Sequence, residues 1–319
     1  MLKQISLLIL CAVAIVLFAT PVHACTSAVV SGKVTLDGRP LLWKNRDTDF
    51  MRNHVDYVKG ERYDFIAVVN SANAYLKEAW MGTNSAGFAL MNTQSYNLVD
   101  VKGDEERGAA NGRVIYRALE VCATVEDFCH FLDTISKPSD IEANFGVIDA
   151  QGGAAMFEVD YYKYVMYDAN NPKDAPYGYI ARTNFSFAGK VNEGAGYVRY
   201  MEADQVLMKA SATGNITPQF IFNDLSRSFR NRMLDIDLRS GGYNRPQASG
   251  WFIDQDFIPR SSTSCSVVVQ GVKPGVKAEL TTMWTLLGYP PTGIAVPLWV
   301  KDAGKLLPGM VRFNREHEA

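Results

Sequence analysis

The first 25 residues restrict what the rest of this chain can fold into. A basic residue, Lys3, is followed by an almost wholly apolar run over residues 5–19. This run is shorter than the about 20 residues that a membrane-spanning helix needs, and a basic start, a short apolar core and a closing small residue such as Ala24 are typical of a secretory signal peptide. The pattern predicts cleavage after Ala24, which makes residues 1–24 a signal peptide and residues 25–319 a single folded domain. An uncleaved membrane anchor is the alternative interpretation.

Cys25 is the first residue after the predicted cut, and two interpretations compete for it. A cysteine at this position of an exported protein can carry a lipid, which would anchor the chain to an outer membrane. Lipoproteins usually continue into a polar tether, whereas residues 26–30 have the sequence of a β-strand. A cysteine that opens a strand suggests a nucleophile carried on a sheet. In either case the pattern predicts export, to a periplasm or the cell exterior, which is an oxidising environment.

The charge balance argues against nucleic acid as a partner. The chain has 32 Lys and Arg against 34 Asp and Glu, a net charge of −2, and so no strong basic field. Its five cysteines are too few for a disulfide scaffold in 319 residues. Cys265 lies in an apolar segment and is predicted to be part of the core. A disulfide between Cys122 and Cys129 stays open, because a helix break at Thr124 would bring them closer than one straight helix allows.

The turn signals and hydrophobic periodicity predict a mixture of strands and helices. Cys25 opens a strand, and a second strand ends at Asp47. Residues 114–122 have apolar side chains at helical spacing, and Thr124 with Asp127 three residues later predicts the N-terminus of another helix. Further strands are predicted over residues 65–70, 74–81, 88–94, 144–149, 154–159, 164–167, 179–184, 264–270, 281–287 and 294–300, and further helices over residues 197–211 and 218–227. This order indicates an α+β fold in which helix layers cover sheets.

Several familiar catalytic motifs are absent from the sequence. It contains no H-E-x-x-H, no C-x-x-C pair, no phosphate-binding loop and no G-x-S-x-G. After the predicted cut only His54, His130 and His317 are left, so a cysteine nucleophile has no obvious histidine base. An N-terminal cysteine could use its own α-amine, whose pKa of about 8 is close enough to neutral to accept the thiol proton. A single cleavage after Ala24 would then export the protein and create its base.

Four short motifs in order resemble the N-terminal nucleophile (Ntn) hydrolases that cut linear amides. The motifs are Cys-Thr-Ser at residues 25–27, Trp-Lys-Asn-Arg-Asp at 43–47, the strand-turn-strand segment at 80–92, and Arg-Thr-Asn at 182–184 followed by Arg199. The group includes choloylglycine (bile salt) hydrolases, penicillin V acylases, acid ceramidase and isopenicillin N acyltransferases. The chain is most similar to the acyltransferase-like branch, with a dipeptidase branch as a cousin. The resemblance implies a four-layer αββα sandwich of antiparallel sheets between helix layers, and no metal or cofactor.

The resemblance also implies roles for individual residues. Cys25 would be the nucleophile and its amine the base, and Asp47 would accept a hydrogen bond from the amine or the thiol. Asn92 and Asn184 would donate to the oxyanion of the tetrahedral intermediate, and Arg199 would support the nucleophile. Each residue also has a structural interpretation: a turn cap for Asp47, a strand-end cap for Asn92, an Asx turn for Asn184 and a solvated helix charge for Arg199.

One position departs from the family pattern. Most relatives have an arginine before the asparagine of the second motif, where this chain has Lys44. A lysine keeps the positive charge and loses the fork of donors. Arg46, two residues later, is expected to lie on the opposite face of the strand and to be a poor substitute, whereas Arg182 could compete with Arg199. Phe185, next to Asn184, is predicted to line an acyl pocket.

These observations together predict a cysteine amidohydrolase. Its substrate would be a small molecule with a linear amide, such as an N-acyl amino acid, a conjugated bile salt or a penicillin. An acyltransferase or dipeptidase of the same superfamily is an alternative, and a lipid-anchored surface protein without enzymatic activity is another. A homo-oligomer is possible, and contact with a membrane is expected only if Cys25 is lipidated.

Overall fold

The computed structural model describes residues 24–99, 108–240, 252–305 and 307–312. The predicted signal peptide, apart from Ala24, lies outside the described residues, and so does His317. Cleavage after Ala24 and the division into residues 1–24 and 25–319 therefore stay predictions. Within the described ranges, no helix combines the length and the apolar character needed to cross a membrane.

The described residues include fifteen strands and five α-helices. The strands are β1 (Cys25–Val30), β2 (Leu41–Asp47), β3 (Asn53–Val58), β4 (Phe65–Asn70), β5 (Met81–Asn84), β6 (Ala89–Gln94), β7 (Ala143–Ile148), β8 (Ala154–Val159), β9 (Tyr164–Asp168), β10 (Tyr179–Arg182), β11 (Arg230–Asn231), β12 (Ile236–Asp237), β13 (Thr263–Gln270), β14 (Thr282–Leu287) and β15 (Val296–Leu298). The helices are α1 (Asn111–Val121), α2 (Val125–Thr134), α3 (Tyr197–Ser211), α4 (Pro218–Phe220, continued by a π-helical turn at Ile221–Leu225) and α5 (Val300–Ala303). Short 3-10 helices lie at Gly32–Val34, Ser71–Leu76, Leu238–Ser240, Ala278–Leu280 and Pro290–Thr292.

The strands form two large antiparallel sheets and one short hairpin. The first sheet has six strands in the order β10-β1-β2-β13-β14-β15, and the second has seven in the order β3-β4-β5-β6-β7-β8-β9. Strands β11 and β12 pair with each other. The first sheet joins strands from both ends of the described chain, because β2 pairs with β1 on one side and with β13 on the other.

Side chains alternate between the two faces of every strand, and one face of each sheet forms a shared core. Val29 and Leu42 of the first sheet and Val68, Met91 and Met156 of the second belong to a single buried cluster between the sheets. Apolar side chains from two inner faces that interdigitate in this way hold sheets face to face. The two sheets are therefore the inner layers of the molecule.

The opposite faces of the sheets are covered by helices. Phe65 and Phe145 of the second sheet share a buried cluster with Phe128 of α2 and with apolar residues of α1. Trp43 of the first sheet shares another buried cluster with Leu207 of α3 and with α4. The order of layers is helices, sheet, sheet, helices, which confirms the α+β fold class and the four-layer αββα architecture.

The predicted strand over residues 74–81 is wrong. Residues Ser71–Leu76 form a 3-10 helix in which Tyr75 is 77% exposed. Lys77 then has a φ of 54°, a left-handed conformation that breaks the extended backbone before β5 begins. Strand β3 was not predicted, because its sequence alternates poorly and its place depends on pairing with β4.

The cysteines in the described part of the chain are all free thiols. Cys122 lies buried at the C-terminal end of α1. Cys129 lies in α2 with its Sγ 3.9 Å from Met166 Sδ. The disulfide between Cys122 and Cys129 that the sequence left open is not formed, whereas Cys265 is buried in β13 as predicted.

Candidate active site

Antiparallel pairing brings the beginning of β1 beside the end of β2, and Cys25 lies at this point. The Cα atoms of Cys25 and Arg46 are paired, and Arg46 is paired with Cys265 of β13 on its other side. Asp47, the residue after Arg46, therefore lies beside Cys25, and its backbone oxygen is 4.0 Å from Cys25 Sγ. A cavity of about 370 Å³ is lined by Cys25 and Asp47.

The structure brings most of the predicted site residues together. The cavity is lined by Cys25, Lys44, Asp47 and Asn92. Asn184 and Arg199 do not line it, but both contact the backbone of Cys25. Phe185 does not line it either, since its ring stacks on Tyr197 with ring centroids 4.1 Å apart. An acyl-pocket role for Phe185 is therefore not supported by this cavity.

The backbone nitrogen of Cys25 is held by a buried hydrogen-bond network. It donates to Asn184 Oδ1 at 3.0 Å, and Arg199 Nη2 donates to the same oxygen at 2.8 Å. Because a guanidinium can only donate, the carboxamide oxygen of Asn184 must face Arg199 and Cys25. Asn184 Nδ2 donates to the backbone oxygen of Gln94 at 2.9 Å. Asn184 thus positions the nitrogen of Cys25, and its donation to an oxyanion stays a prediction.

Arg199 also binds the strand that carries the nucleophile. Its Nη1 donates to the backbone oxygen of Cys25 at 2.6 Å and to Thr26 Oγ1 at 2.8 Å. Burial lowers the pKa of Arg199 to about 10, which leaves the guanidinium charged at neutral pH. The solvated helix charge considered from the sequence is ruled out by the 1% exposure of this side chain.

A glycine at the start of α3 makes the approach of Arg199 possible. Gly196 has a φ of 86°, and a Cβ at this position would overlap Arg199 Nη2. Just before it, Asn184 and Ala195 exchange two backbone hydrogen bonds of 3.2 and 3.1 Å. The segment that precedes α3 is thereby fixed to the strand end that carries Asn184, and the helix places Arg199 against Cys25.

Asp47 has its main contacts with residues that the sequence analysis did not identify. Arg260 donates to Asp47 Oδ2 from Nε at 3.0 Å and from Nη2 at 2.8 Å, and Thr263 Oγ1 donates to Oδ1 at 2.5 Å. Burial raises the pKa of Asp47, and the charge of Arg260 opposes this shift. A hydrogen bond from the amine or thiol of Cys25 to the carboxylate stays a prediction. The only sequence signal for Arg260 is a charged residue just before an apolar strand.

Lys44 orients the second asparagine of the site. Its Nζ donates to Asn92 Oδ1 at 2.9 Å and to the backbone oxygen of Trp80 at 3.1 Å. Burial lowers the pKa of Lys44, while the nearby Cys25 opposes this shift. Because the oxygen of Asn92 faces Lys44, the Nδ2 donor lies in the same plane on the opposite side of Cγ and points away from Lys44. Lys44 therefore fixes which way Asn92 presents its donor.

The expectation for Arg46 is wrong. Residues two apart in a strand lie on the same face, so Arg46 lies beside Lys44 and lines the cavity with it. Arg46 donates to Asn53 Oδ1 and, at 2.9 Å, to Asn70 Oδ1, and its guanidinium lies 4.6 Å from the centre of the Trp80 ring. The cavity thus contains two neighbouring cations where the sequence predicted one.

Arg182, the alternative to Arg199, has a different partner. Its Nε donates to Glu158 Oε1 at 2.6 Å, and both side chains are buried. The Phe187 ring covers the guanidinium at 4.0 Å. Arg182 therefore stabilises the end of β10, and Arg199 is the arginine that contacts the nucleophile strand.

Neither His54 nor His130 has a hydrogen bond to Cys25. His54 Nδ1 lies 3.1 Å from Ser71 Oγ, in the second sheet. His130 is exposed on α2, with Nε2 3.8 Å from Glu126. In the part of the chain that the structure describes, no group of three His, Cys, Asp or Glu residues could hold a metal ion.

The fold and the site together define a class of protein. Two antiparallel sheets between helix layers, with a cysteine at the start of an inner strand, form the architecture of the Ntn hydrolases. The family model described as acyl-coenzyme A:6-aminopenicillanic acid acyl-transferase matches residues 35–220, more than half of the chain, and the chain belongs to this family. The resemblance stated from the motifs is confirmed, and the chemistry of the class is amide cleavage or acyl transfer.

Several solved structures are similar to this one at low sequence identity. An N-acylethanolamine-hydrolyzing acid amidase ortholog from Caenorhabditis elegans is 16% identical with a TM-score of 0.49, and the match covers 82% of this chain and 99% of that one. A mutant of conjugated bile acid hydrolase from Clostridium perfringens is 14% identical over 86% and 92% of the chains, with a TM-score of 0.46. Penicillin V acylase from Agrobacterium tumefaciens is 15% identical over 82% of each chain, with a TM-score of 0.43. A search of curated protein sequences gives no match.

Proposed function

We propose that this protein is an exported cysteine amidohydrolase that cleaves a linear amide through an acyl-enzyme on Cys25. One observation carries the proposal: the nitrogen of Cys25 is held by Asn184 Oδ1 at 3.0 Å while Cys25 itself lines the cavity. If residues 1–24 are removed, this nitrogen becomes a free amine next to the thiol on the same residue. A nucleophile and its base are then present without a histidine.

The proposed reaction has two halves. The α-amine of Cys25 accepts the thiol proton, and the thiolate attacks the amide carbonyl carbon to form a tetrahedral intermediate. The C–N bond breaks as the ammonium returns the proton to the leaving amine, which leaves a thioester on Cys25. Water then adds to the thioester with the amine as base, and the C–S bond breaks to release a carboxylic acid and restore the thiol. No redox step or external cofactor is needed.

The surrounding residues divide the work of stabilising this reaction. Asn92 would donate to the oxyanion from Nδ2, since Lys44 holds its oxygen. Asn184 and Arg199 keep the amine of Cys25 in position. Asp47, neutralised by Arg260, adds a buried acceptor beside Cys25. An oxyanion donor of this kind is worth about 10²–10³ in kcat, so Asn92 has the largest expected effect after Cys25.

The test combines intact mass with turnover. We expect the exported protein to begin at an unmodified Cys25, to gain the mass of an acyl group when mixed with substrate, and to release an amine. Cys25→Ala should release no amine while keeping its thermal unfolding transition. Cys265→Ala removes another buried thiol and is the matched control, which should keep activity. Full activity in Cys25→Ala, or a mature chain that carries a lipid on Cys25, would overturn the proposal.

Acyl transfer to an amine is the second candidate, and the description of the family favours it. The first half of the reaction is the same, and an acceptor amine replaces water in the second half. A panel of N-acyl amino acids, conjugated bile salts, penicillin V and dipeptides, each with and without an added amine, separates hydrolase, transferase and dipeptidase. An acyl-amine product that exceeds the free acid would identify a transferase.

A further inference from the structure

Arg46 is a buried charge in the cavity that the proposed mechanism does not use. It is 4% exposed, and it lies beside Cys25 in the pairing of β1 and β2. Its hydrogen bonds go to the carboxamide oxygens of Asn53 and Asn70, and its flat face covers Trp80. These contacts fix the position of the guanidinium, but none of them carries a negative charge.

The other charges of the cavity have partners. Asp47 is paired with Arg260, and Glu78 is paired with Arg113 at 3.4 Å. Among the described residues, neither Lys44 nor Arg46 has a carboxylate within salt-bridge distance. Burial lowers the pKa of Arg46, yet an arginine stays protonated in a protein. Two positive charges thus face a site where Cys25 as a thiolate supplies only one negative charge.

The remaining positive charge must be balanced by what enters the cavity. A buried cation without a counter-ion is costly, and an anion that binds it recovers part of the cost. The guanidinium of an arginine offers donors whose geometry matches a carboxylate. The apolar side chains Phe50 and Leu76 line the same cavity and are partly exposed, so its outer part suits the non-polar portion of a ligand.

We propose that Arg46 is a specificity-determining residue that binds a carboxylate on the amide substrate. The inference rests on the proposed function, because it concerns the substrate of the same cavity. Arg46 would favour the binding of anionic amides, such as N-acyl amino acids with a free carboxylate, over neutral amides of the same shape. Lys44 interacts instead with Asn92, to which it donates a hydrogen bond, and with the nearby charge of the Cys25 thiolate.

Binding to the exported Cys25→Ala protein, which begins at residue 25, tests this without relying on catalysis. N-octanoylglycine and N-octanoylglycinamide differ only in a carboxylate against a neutral carboxamide, and their Kd values are measured by calorimetry. We expect the carboxylate to bind at least about tenfold more tightly, as one charge-assisted contact supplies. Adding Arg46→Gln should reduce the preference to less than about threefold and leave the Kd of the carboxamide unchanged. Equal Kd values with Arg46 present, or no binding of either ligand, overturn the inference.

Two further variants separate charge from structure. Arg113→Gln removes a cation that lines the same cavity but is paired with Glu78, and it should keep the preference. Arg46→Lys keeps the charge and loses the fork, so it should keep a preference for the carboxylate that is weaker than with Arg46. If Arg46→Gln does not fold, Arg46→Lys still decides: the absence of any preference contradicts the inference.

The inference and the proposed function fail in different ways. Turnover is measured on both ligands with the protein that has Cys25. Equal cleavage of the acid and the carboxamide would support the amidohydrolase activity and contradict a role for Arg46 in substrate specificity. The opposite result is also distinguishable. If the Cys25→Ala protein binds the acid preferentially but the unmutated protein forms no acyl-enzyme and releases no amine, the carboxylate site is supported and the proposed reaction is contradicted.

Discussion

Asp47 finds its charge partner 213 residues further along the chain. Arg260 and Thr263 together bind both of its carboxylate oxygens, and the whole cluster is buried beside Cys25. A buried ion pair contributes little net stability compared with apolar packing, but the loss of one partner leaves an uncompensated charge. The ionisation of Asp47 therefore depends on a residue outside all four sequence motifs.

Arg260→Gln is expected to destabilise the protein in a pH-dependent way. Without Arg260, burial keeps the pKa of Asp47 above its unfolded value, so stability is lost as pH rises through the folded pKa. The free energy of unfolding should fall by about 3–5 kcal/mol at pH 8, and by less at pH 5, because the raised pKa leaves a larger fraction of Asp47 protonated at the lower pH. Urea unfolding at the two pH values measures this.

Arg260→Lys is the control for this prediction. It keeps the positive charge next to Asp47, so its loss of stability should be smaller and should change less between pH 5 and pH 8. A loss in Arg260→Gln that is the same at both pH values contradicts a role in the ionisation of Asp47.

Lys44→Met is expected to slow turnover without preventing folding. Methionine has a similar length and no charge, so it fills the site and removes the donor that holds Asn92. A freely rotating Asn92 would lose most of its value as an oxyanion donor, so kcat should fall about 10²-fold while KM changes little. Lys33→Met, on the surface, is the control. A variant in which only KM rises would assign Lys44 to substrate binding.

Short motifs predicted the residues whose positions depend on their immediate neighbours. Cys25 and Asp47 end up together because two consecutive strands pair antiparallel, and this follows from a hairpin in the sequence. No local pattern indicates that Arg260 lies against Asp47, because that contact needs β13 to pair with β2. Arg46 is a different case, because the two-residue period of a strand puts it on the same face as Lys44, contrary to the expectation from the sequence.

At the scale of single elements, the helices were easier to predict than the strands. Residues of α1 and α2 bury one face at helical spacing, and Thr124 and Asp127 form the predicted capping box. This information is local. Strand β3 has no such signal, and its polar residues are accommodated only because β4 pairs with it. The start of α3 is also decided by contacts that are distant in sequence.

Gly196→Ala is expected to disturb Arg199, and Gly214→Ala is its matched control. Both glycines have positive φ, 86° and 63°, so an alanine at either costs about 1–2 kcal/mol of backbone strain. A Cβ at Gly196 would also overlap Arg199 Nη2, whereas a Cβ at Gly214 meets no atom within 4 Å. Gly196→Ala should therefore lose both stability and kcat, and Gly214→Ala only stability. Equal kcat values in the two variants would show that the position of Arg199 does not limit the reaction.

Three separate apolar clusters hold the described part of the molecule together. The cluster between the sheets and the clusters under each pair of helices are separate sets of buried residues. Cys25 and Asp47 lie in the first sheet, Asn92 lies in β6 of the second sheet, and α1 contributes Asn111 and Arg113 to the cavity lining. No residue of α2 lines this cavity. Stability can therefore be changed in the cluster beneath α2 apart from the chemistry of the site.

Phe128→Ala tests this separation. Its ring lies 5.1–6.2 Å from the rings of four other phenylalanines, Phe88, Phe131, Phe145 and Phe157. Removing a buried ring of this kind costs about 3–5 kcal/mol, measured as the shift in the urea midpoint. The kcat per folded molecule should be unchanged. Phe131→Ala, in the same helix and only partly buried, should cost less.

The position of β1 between β10 and β2 has a consequence for the proposed base. The end of a polypeptide is ordinarily its most mobile part, but a chain cut before Cys25 would end on an inner strand, between two hydrogen-bonded neighbours. Asn184 accepts a hydrogen bond from the nitrogen of this residue, and Arg199 donates one to its backbone oxygen. Folding would already have removed the freedom of the terminal amine, so the reaction would not have to do so. The terminal nitrogen, ordinarily the most mobile backbone atom of a chain, would then be among the most rigidly held.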